Sequence, residues 1–357
     1  MMKNRLNWFF VGVLIVLLAQ GCNLPGPTPA VEATIPPTQA PPTVPQTSAP
    51  TAIQHQAIPI SAPDSNPYPD VTSSDTASEK RAPYGDSYDI NRLERPFTQD
   101  MIYIPDMDIS SFSISEEGDW YYVSIGLVGK NPNNPPGIQY ALELDTNLDS
   151  FGDFLIVAAP PYSEEWTADN VRVYTDTNRD SAGASAARSD APFSGDGYDQ
   201  LIHSLADGIG NDVDLAWVRI NASQFAAVQF AFKKSLSGSS FLYSVIADAG
   251  LKDVARLDYV DYFTLSNAGS PVRDNPNYPL KELYAVDNTC YQAFGFKPTG
   301  FEPKICPEIV QPQNAREPGE PPPSTPGVDA CTAIGQPNPG NCPWGWSDWP
   351  YCVCTPG

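Results

Sequence analysis

The segment Asp145-Thr146-Asn147-Leu148-Asp149-Ser150-Phe151-Gly152-Asp153 places oxygen-bearing side chains at relative positions 1, 3, 5 and 9. A loop curled round a cation turns alternate side chains inward. A hard cation such as calcium takes about six to eight oxygens at about 2.3–2.6 Å. Asp145, Asn147, Asp149 and Asp153 are therefore the expected ligands of a structural calcium ion. A second run, Asp176-Thr177-Asn178-Arg179-Asp180, repeats the form after another apolar segment. It adds Asp176, Asn178 and Asp180 as candidates, although Arg179 lowers the local negative charge and Ala184 stands where a further carboxylate would fall. Two such loops, each following a strand, are expected at one end of a sandwich. The competing explanation needs no metal: Asp and Asn favour turns because their side chains bond to nearby backbone N–H groups.

Other catalytic chemistry has little material. The chain has two histidines, of which His55 lies in a Pro-rich leading segment. His203 sits in an apolar run with no Gly-x-Ser-x-Gly elbow nearby, and is expected as a strand histidine on a polar face. There is no phosphate-binding or dinucleotide-binding glycine motif. With 20 Lys+Arg against 42 Asp+Glu, the net charge is -22. Nucleic-acid binding needs a basic footprint, so that partner is excluded.

The elements that must position these loops are strands. Runs of 5–9 residues rich in Val, Ile, Tyr, Phe and Trp alternate with period two between Gly, Asn, Asp and Pro clusters. The expected strands are 108–115, 120–128, 138–144, 154–159, 171–175, 213–220, 228–233, 241–247 and 259–263. Only 221–225 and 280–285 look like brief helical turns. Many short strands without intervening helices predict an all-β fold, an antiparallel β-sandwich of jelly-roll type.

Composition divides the 357 residues further. Lys3 and Arg5 precede an apolar run from Trp8 to Ala19, too short for a bilayer span of roughly 20 residues, so 1–21 reads as an export signal. Residues 22–70 are Pro- and Thr-rich with Glu32 the lone charge before Asp64, and read as a disordered linker. The sandwich body is 71–306, a second Pro-rich linker is 307–330, and a Cys- and Trp-rich tail is 331–357.

Leu18-Ala19-Gln20-Gly21-Cys22 resembles the lipobox of bacterial lipoproteins. The resemblance implies cleavage after Gly21, diacylglycerol on the Cys22 thiol, palmitate-type acylation, and an extracytoplasmic place at the cell surface, held to the membrane by lipid. With Cys22 so assigned, six of the seven cysteines remain. Cys290 and Cys306 flank the end of the body and are expected to pair. Cys331, Cys342, Cys352 and Cys354 form two tail bridges, with three connectivities open.

The strands Trp120-Tyr121-Tyr122-Val123-Ser124-Ile125 and Ile138-Gln139-Tyr140-Ala141-Leu142-Glu143-Leu144-Asp145 resemble a strand pair of the DOMON and family 9 carbohydrate-binding module superfamily. That resemblance implies a secreted sandwich that binds sugar or haem, with aromatic platforms; Trp166, Tyr174 and Trp217 are the candidates. Trp344, Trp346 and Trp349 offer a second aromatic knob in the tail. The expected function is non-catalytic binding, of glycan first. A structural subunit docking other envelope proteins is the alternative. A third reading is a glycoside hydrolase: Glu143-Leu144-Asp145-Thr146-Asn147 partly resembles the E-x-D-x-E strand of jelly-roll hydrolases, with Asn147 in place of the proton donor.

Overall fold

The computed structural model describes residues 53–83, 93–149, 151–181, 195–221, 227–254, 268–271, 280–302 and 304–308, with the backbone of 346–347 and 353–354. The chain divides into two units, residues 1–52 and 53–357. The signal segment, Cys22 and most of the leading linker lie outside the described residues.

The strands in chain order are β1 (Tyr68–Pro69), β2 (Leu93–Arg95), β3 (Ile109–Glu117), β4 (Trp120–Leu127), β5 (Gln139–Asp145), β6 (Phe154–Ala158), β7 (Val171–Thr175) and β8 (Gln200–Ser204). They continue with β9 (Ala216–Asn221), β10 (Ala227–Lys233), β11 (Phe241–Asp248), β12 (Val286–Asn288) and β13 (Gln292–Phe294). One sheet runs β1-β3-β4-β10-β9; the other runs β2-β12-β11-β5-β6-β7-β8, with β13 also on β11. Every named pair is antiparallel, the pairing that short connections allow. The expected antiparallel β-sandwich is the fold.

Alternation sorts the side chains. On β4, Tyr121, Val123 and Ile125 turn inward, where they meet Phe230 and Phe232 of β10 and Leu142, Phe241 and Val245 of the facing sheet. Tyr121 packs edge-on against Phe241 at 5.1 Å, a geometry that aromatic quadrupoles favour. The alternate β4 residues, Trp120 and Tyr122, point the other way and join Trp217 and Ala231 in a second cluster. The β5 and β11 strands are buried along almost their whole length because the larger sheet is covered on both sides. Ala141, Leu155, Val157 and Ile246 pack outward under Tyr198, Leu283 and Val286.

Residues 53–70 do not behave as a detached spacer. Ala57 and Ala62 pack on the outer aromatic cluster, and β1 extends the first sheet. Asp214 is buried and receives N–H bonds from Gln56 and Ala57 at 2.8 and 3.0 Å, with His55 Nδ1 at 2.7 Å from its other oxygen. The sandwich thus begins before residue 71, because this strap covers apolar surface that composition alone assigned to no segment.

Of the two expected helical turns, the one at 280–285 does not form. Residues 280–285 form bends, with Ala285 at φ 48°, and Asn221 belongs to β9 while 222–226 lie outside the described residues. A four-residue helix, Lys234–Ser237, instead follows β10 and closes at Gly238. The expected strand at 259–263 also lies outside the described residues. Cys290 and Cys306 are disulfide-bonded, as expected. In the tail, Trp346–Ser347 (β14) pairs with Val353–Cys354 (β15). Cys331, Cys342, Cys352, Trp344 and Trp349 lie outside the described residues.

Candidate metal centre

Three carboxylates converge where the two sheets meet. Glu94 on β2 and Asp287 on β12 are direct cross-strand partners. Asp108 immediately precedes β3 of the other sheet. Each residue offers an oxygen within 4.8 Å of the other two, and their exposures are 2, 0 and 0% for Glu94, Asp108 and Asp287. Like charges directly opposite on a ladder repel. Burial removes the water that would screen them.

Some of the oxygens have partners. Ser73 donates its N–H to Asp108 Oδ2 at 3.0 Å and its hydroxyl to Glu94 Oε1 at 2.5 Å. Tyr103 donates its hydroxyl to Asp108 Oδ2, and burial raises its pKa so that it stays a donor. Ile109 donates its N–H to Asp287 Oδ2 at 2.6 Å, which ties β3 to β12 across the layers. Asp108 Oδ1 and Asp287 Oδ1 are buried and accept no hydrogen bond. A buried, unpartnered oxygen carries the full desolvation cost, so these two atoms ask for a cation.

Electrostatics agree with the geometry. Burial pushes the Asp108 carboxyl up to about 7, against hydrogen bonds from Tyr103 and Ser73 that lower it. Burial drives the Asp287 carboxyl well above its usual range, and the neighbouring charges of Glu94, Asp70 and Asp108 add to the rise. The triad can hold a metal ion, and an all-oxygen donor set selects a hard one.

The segment bearing Asp108 is held by a glycine. Gly129 lies so close to Asp106 that an added Cβ would fall 2.5 Å from its N and 2.7 Å from its Cα. Asp106 in turn accepts the Asn131 N–H at 2.8 Å, and Gly129 donates its own N–H to Pro105 O at 2.7 Å. Gly129→Ala must displace main chain two residues from Asp108. The expected result is a cation affinity weakened by about tenfold or more, a change of at least about 1.4 kcal/mol. Calcium titration followed by melting checks it; an unchanged midpoint would show that the 105–108 segment does not set the site.

The disulfide braces the other side of the triad. Removing it by Cys290→Ser with Cys306→Ser is expected to cost about 3 kcal/mol. The bridge closes a loop of sequence separation 16, for which chain entropy gives a value near that. The effect should reach the metal. Cys290 follows Asp287 by three residues, and between them Thr289 accepts the Val245 N–H at 3.1 Å with its hydroxyl. Loosening Cys290 loosens β12, so any cation held at the triad should bind more weakly in the double variant than in the oxidised protein. Chemical denaturation with and without calcium measures both effects. An unchanged midpoint under reducing and oxidising conditions would show that β12 is held by packing alone.

The sequence-predicted loops lie elsewhere. They are neighbours at one end of the larger sheet: Arg179 pairs with Asp149, and Gly152 donates its N–H to Ser181 O at 3.3 Å. Their oxygens are engaged locally. Asp145 Oδ1 caps Leu148 N–H at 2.6 Å, and Asp153 Oδ2 takes Thr146 N–H and its hydroxyl at 2.6 Å each. Asn147 gives Nδ2 to Asp153 Oδ1 at 2.8 Å, while its own oxygen takes Asp149 N–H at 3.0 Å. Asp176 accepts the N–H groups of Asn178, Arg179 and Ser181; Asp180 accepts those of Asp196 and Gly197; Asn178 donates to Asp196. Among the described residues, the acidic grouping with ligand spacing is Glu94, Asp108 and Asp287, and these loops supply none.

The remaining sequence candidates fall in the core, under the strap or at a cleft. Glu143 is buried on the outer side of β5, where Tyr198 and Tyr291 donate their hydroxyls to it and Ser244 lies at 3.2 Å. His203 is a β8 residue, but fully buried instead of on a polar face. Burial lowers its pKa and the charges of Asp212 and Asp214 oppose the drop. Trp217 is buried, with His55 packed 4.6 Å from its ring. Trp166 is half-buried, donates Nε1 to Ile60 O at 3.1 Å and lies 4.5 Å under the Arg219 guanidinium. The strap therefore occupies both indoles. Tyr174 on β7 is half-buried and lines a cleft.

No family model, curated protein or solved structure matches the chain.

Proposed function

We propose that this chain is a non-catalytic glycan-binding module of the bacterial cell surface. Lipid on Cys22 holds it to the membrane, and calcium at Glu94, Asp108 and Asp287 fastens its sandwich. The observation that carries the non-catalytic reading is that the buried triad and the Glu143 cluster are both sealed. The triad is at most 2% exposed, and Glu143 is 4% exposed and bound by two tyrosine hydroxyls, so neither can touch a polymer. Retaining hydrolysis needs a carboxyl pair flanking a bound sugar.

Calcium is favoured over magnesium because the triad is buried away from bulk solvent. Magnesium sheds its waters reluctantly and keeps several, whereas calcium accepts a flexible, largely protein-derived shell. The disulfide between Cys290 and Cys306 supports a place outside the reducing cytosol. Each acyl CH2 buried in the bilayer contributes about 0.8 kcal/mol, so two or three chains on Cys22 hold firmly. Cys22→Ser is expected to move the protein from the membrane pellet to the soluble fraction; retention in the pellet would remove the lipid anchor.

A docking role draws on one observation: Ile53, Ile58 and Ile60 of the strap are 44, 60 and 56% exposed. A glycan array decides between the two. Saturable binding to a saccharide supports the proposed function; an array without hits, with a protein crosslinked through residues 53–60, favours docking.

A further inference from the structure

A cleft of about 380 Å3 opens on the outer side of the larger sheet. It falls within the range of ligand pockets, about 300–1,000 Å3. Val157 of β6 and the ring of Tyr174 of β7 give it an apolar floor. Its rim is polar and balanced in charge: Arg172 and Lys252 supply two cations, Asp169 and Asp253 two carboxylates.

Both rim cations keep donors to spare. Arg172 is half-exposed and makes one contact among the described residues, Nε to Asp207 at 3.6 Å. Its terminal nitrogens remain a planar fork of donors. Lys252 gives one of its hydrogens to Pro136 O at 2.8 Å, which parks the ammonium at the edge while leaving two donors. Lys252 is held there by its own backbone, whose N–H bonds Asp248 Oδ2 at 2.6 Å.

Resting on the glycan-binding reading, we infer that this cleft is the saccharide site, and that it takes a short neutral saccharide. A sugar ring has an apolar face of C–H groups and an equatorial belt of hydroxyls, each both donor and acceptor. One half-buried aromatic ring beneath and a rim of alternating donors and acceptors match both features. A charged ligand would leave one pair of rim charges opposed by its own sign. A flat, wholly apolar ligand would desolvate the charged rim and offer it no hydrogen bonds. Of the two indoles at the strap, Trp217 is buried and half-buried Trp166 already lies against the Arg219 guanidinium.

The test is titration of the full chain with a panel of neutral trisaccharides and with trigalacturonate, followed by calorimetry or ligand-observed NMR. The expected result is saturable binding of a neutral trisaccharide, weakened at least about tenfold by Tyr174→Ala and by Arg172→Ala. Tyr174 also packs against the outer cluster that holds Leu155 and Val157, so its truncation can unfold the sheet; Arg172→Ala, on an exposed side chain, keeps the cleft testable. Neutral binding that survives Arg172→Ala unchanged would overturn the cleft while leaving the glycan reading intact. Binding of trigalacturonate in preference to every neutral sugar would overturn the neutral class. No binding of any saccharide would overturn the glycan reading and this inference with it.

Discussion

At pH 7.5 the melting temperature is expected to fall by about 5–10 °C when calcium is chelated. Calcium at a hundred times its dissociation constant adds about 2.7 kcal/mol to the folded state. For a domain of this size each kcal/mol moves the midpoint by about 2–4 °C. Asp287→Asn should abolish the response, because its orphan oxygen and its bond to Ile109 N–H lie at the centre of the triad. Asp176→Asn should retain it, because that carboxylate is already spent on three backbone N–H groups. The reverse pattern would place the cation in the loops.

The same carboxyls set a pH signature for the chelated protein. Asp108 and Asp287 are raised in the folded state, so folding takes up protons there. A raised acid stabilises most below its unfolded pKa of about 3.9 and loses that contribution as pH climbs through the folded value. Without calcium, stability should therefore decline from about pH 4 to beyond pH 7, by a few kcal/mol on the order set by roughly 1.4 kcal/mol per unit. Calcium, which binds the deprotonated carboxylates, should flatten or reverse the slope. Asp248 is raised by burial too, and leaves a residual decline in Asp287→Asn. A chelated protein whose stability rose with pH over this window would contradict the raised carboxyls of Asp108 and Asp287.

Strands were legible because they carry their own signal. Val171-Arg172-Val173-Tyr174-Thr175 alternates buried and exposed, and the expected span equals the observed one. Short strands such as Leu93–Arg95 and Val286–Asn288 were not, since three residues hold no period. Glu94 and Asp287 sit on these short strands, and the members of the triad are far apart in sequence. A cue did exist: Asp108 between Met107 and Ile109, and Asp287 next to Val286, are lone acids among apolar neighbours. A carboxylate in such company is either buried with a partner or misplaced. The Asp-Thr-Asn loops stood out because their oxygens are contiguous, yet contiguous oxygens also find contiguous N–H groups. The strap was missed for a related reason. Proline-rich composition describes how a segment behaves alone, and says nothing of aromatic surface waiting on another part of the chain.

The strap has a mechanical consequence. It reaches the sandwich ahead of every strand, so tension applied through the leading segment meets Asp214 before it meets any sheet. There His55, Gln56 and Ala57 share a single carboxylate, and the next fastenings are Ile60 to Tyr122 and Trp166. Pulled from the N-terminal side, such contacts would let go one after another, lengthening the chain in small steps while the two sheets stay closed.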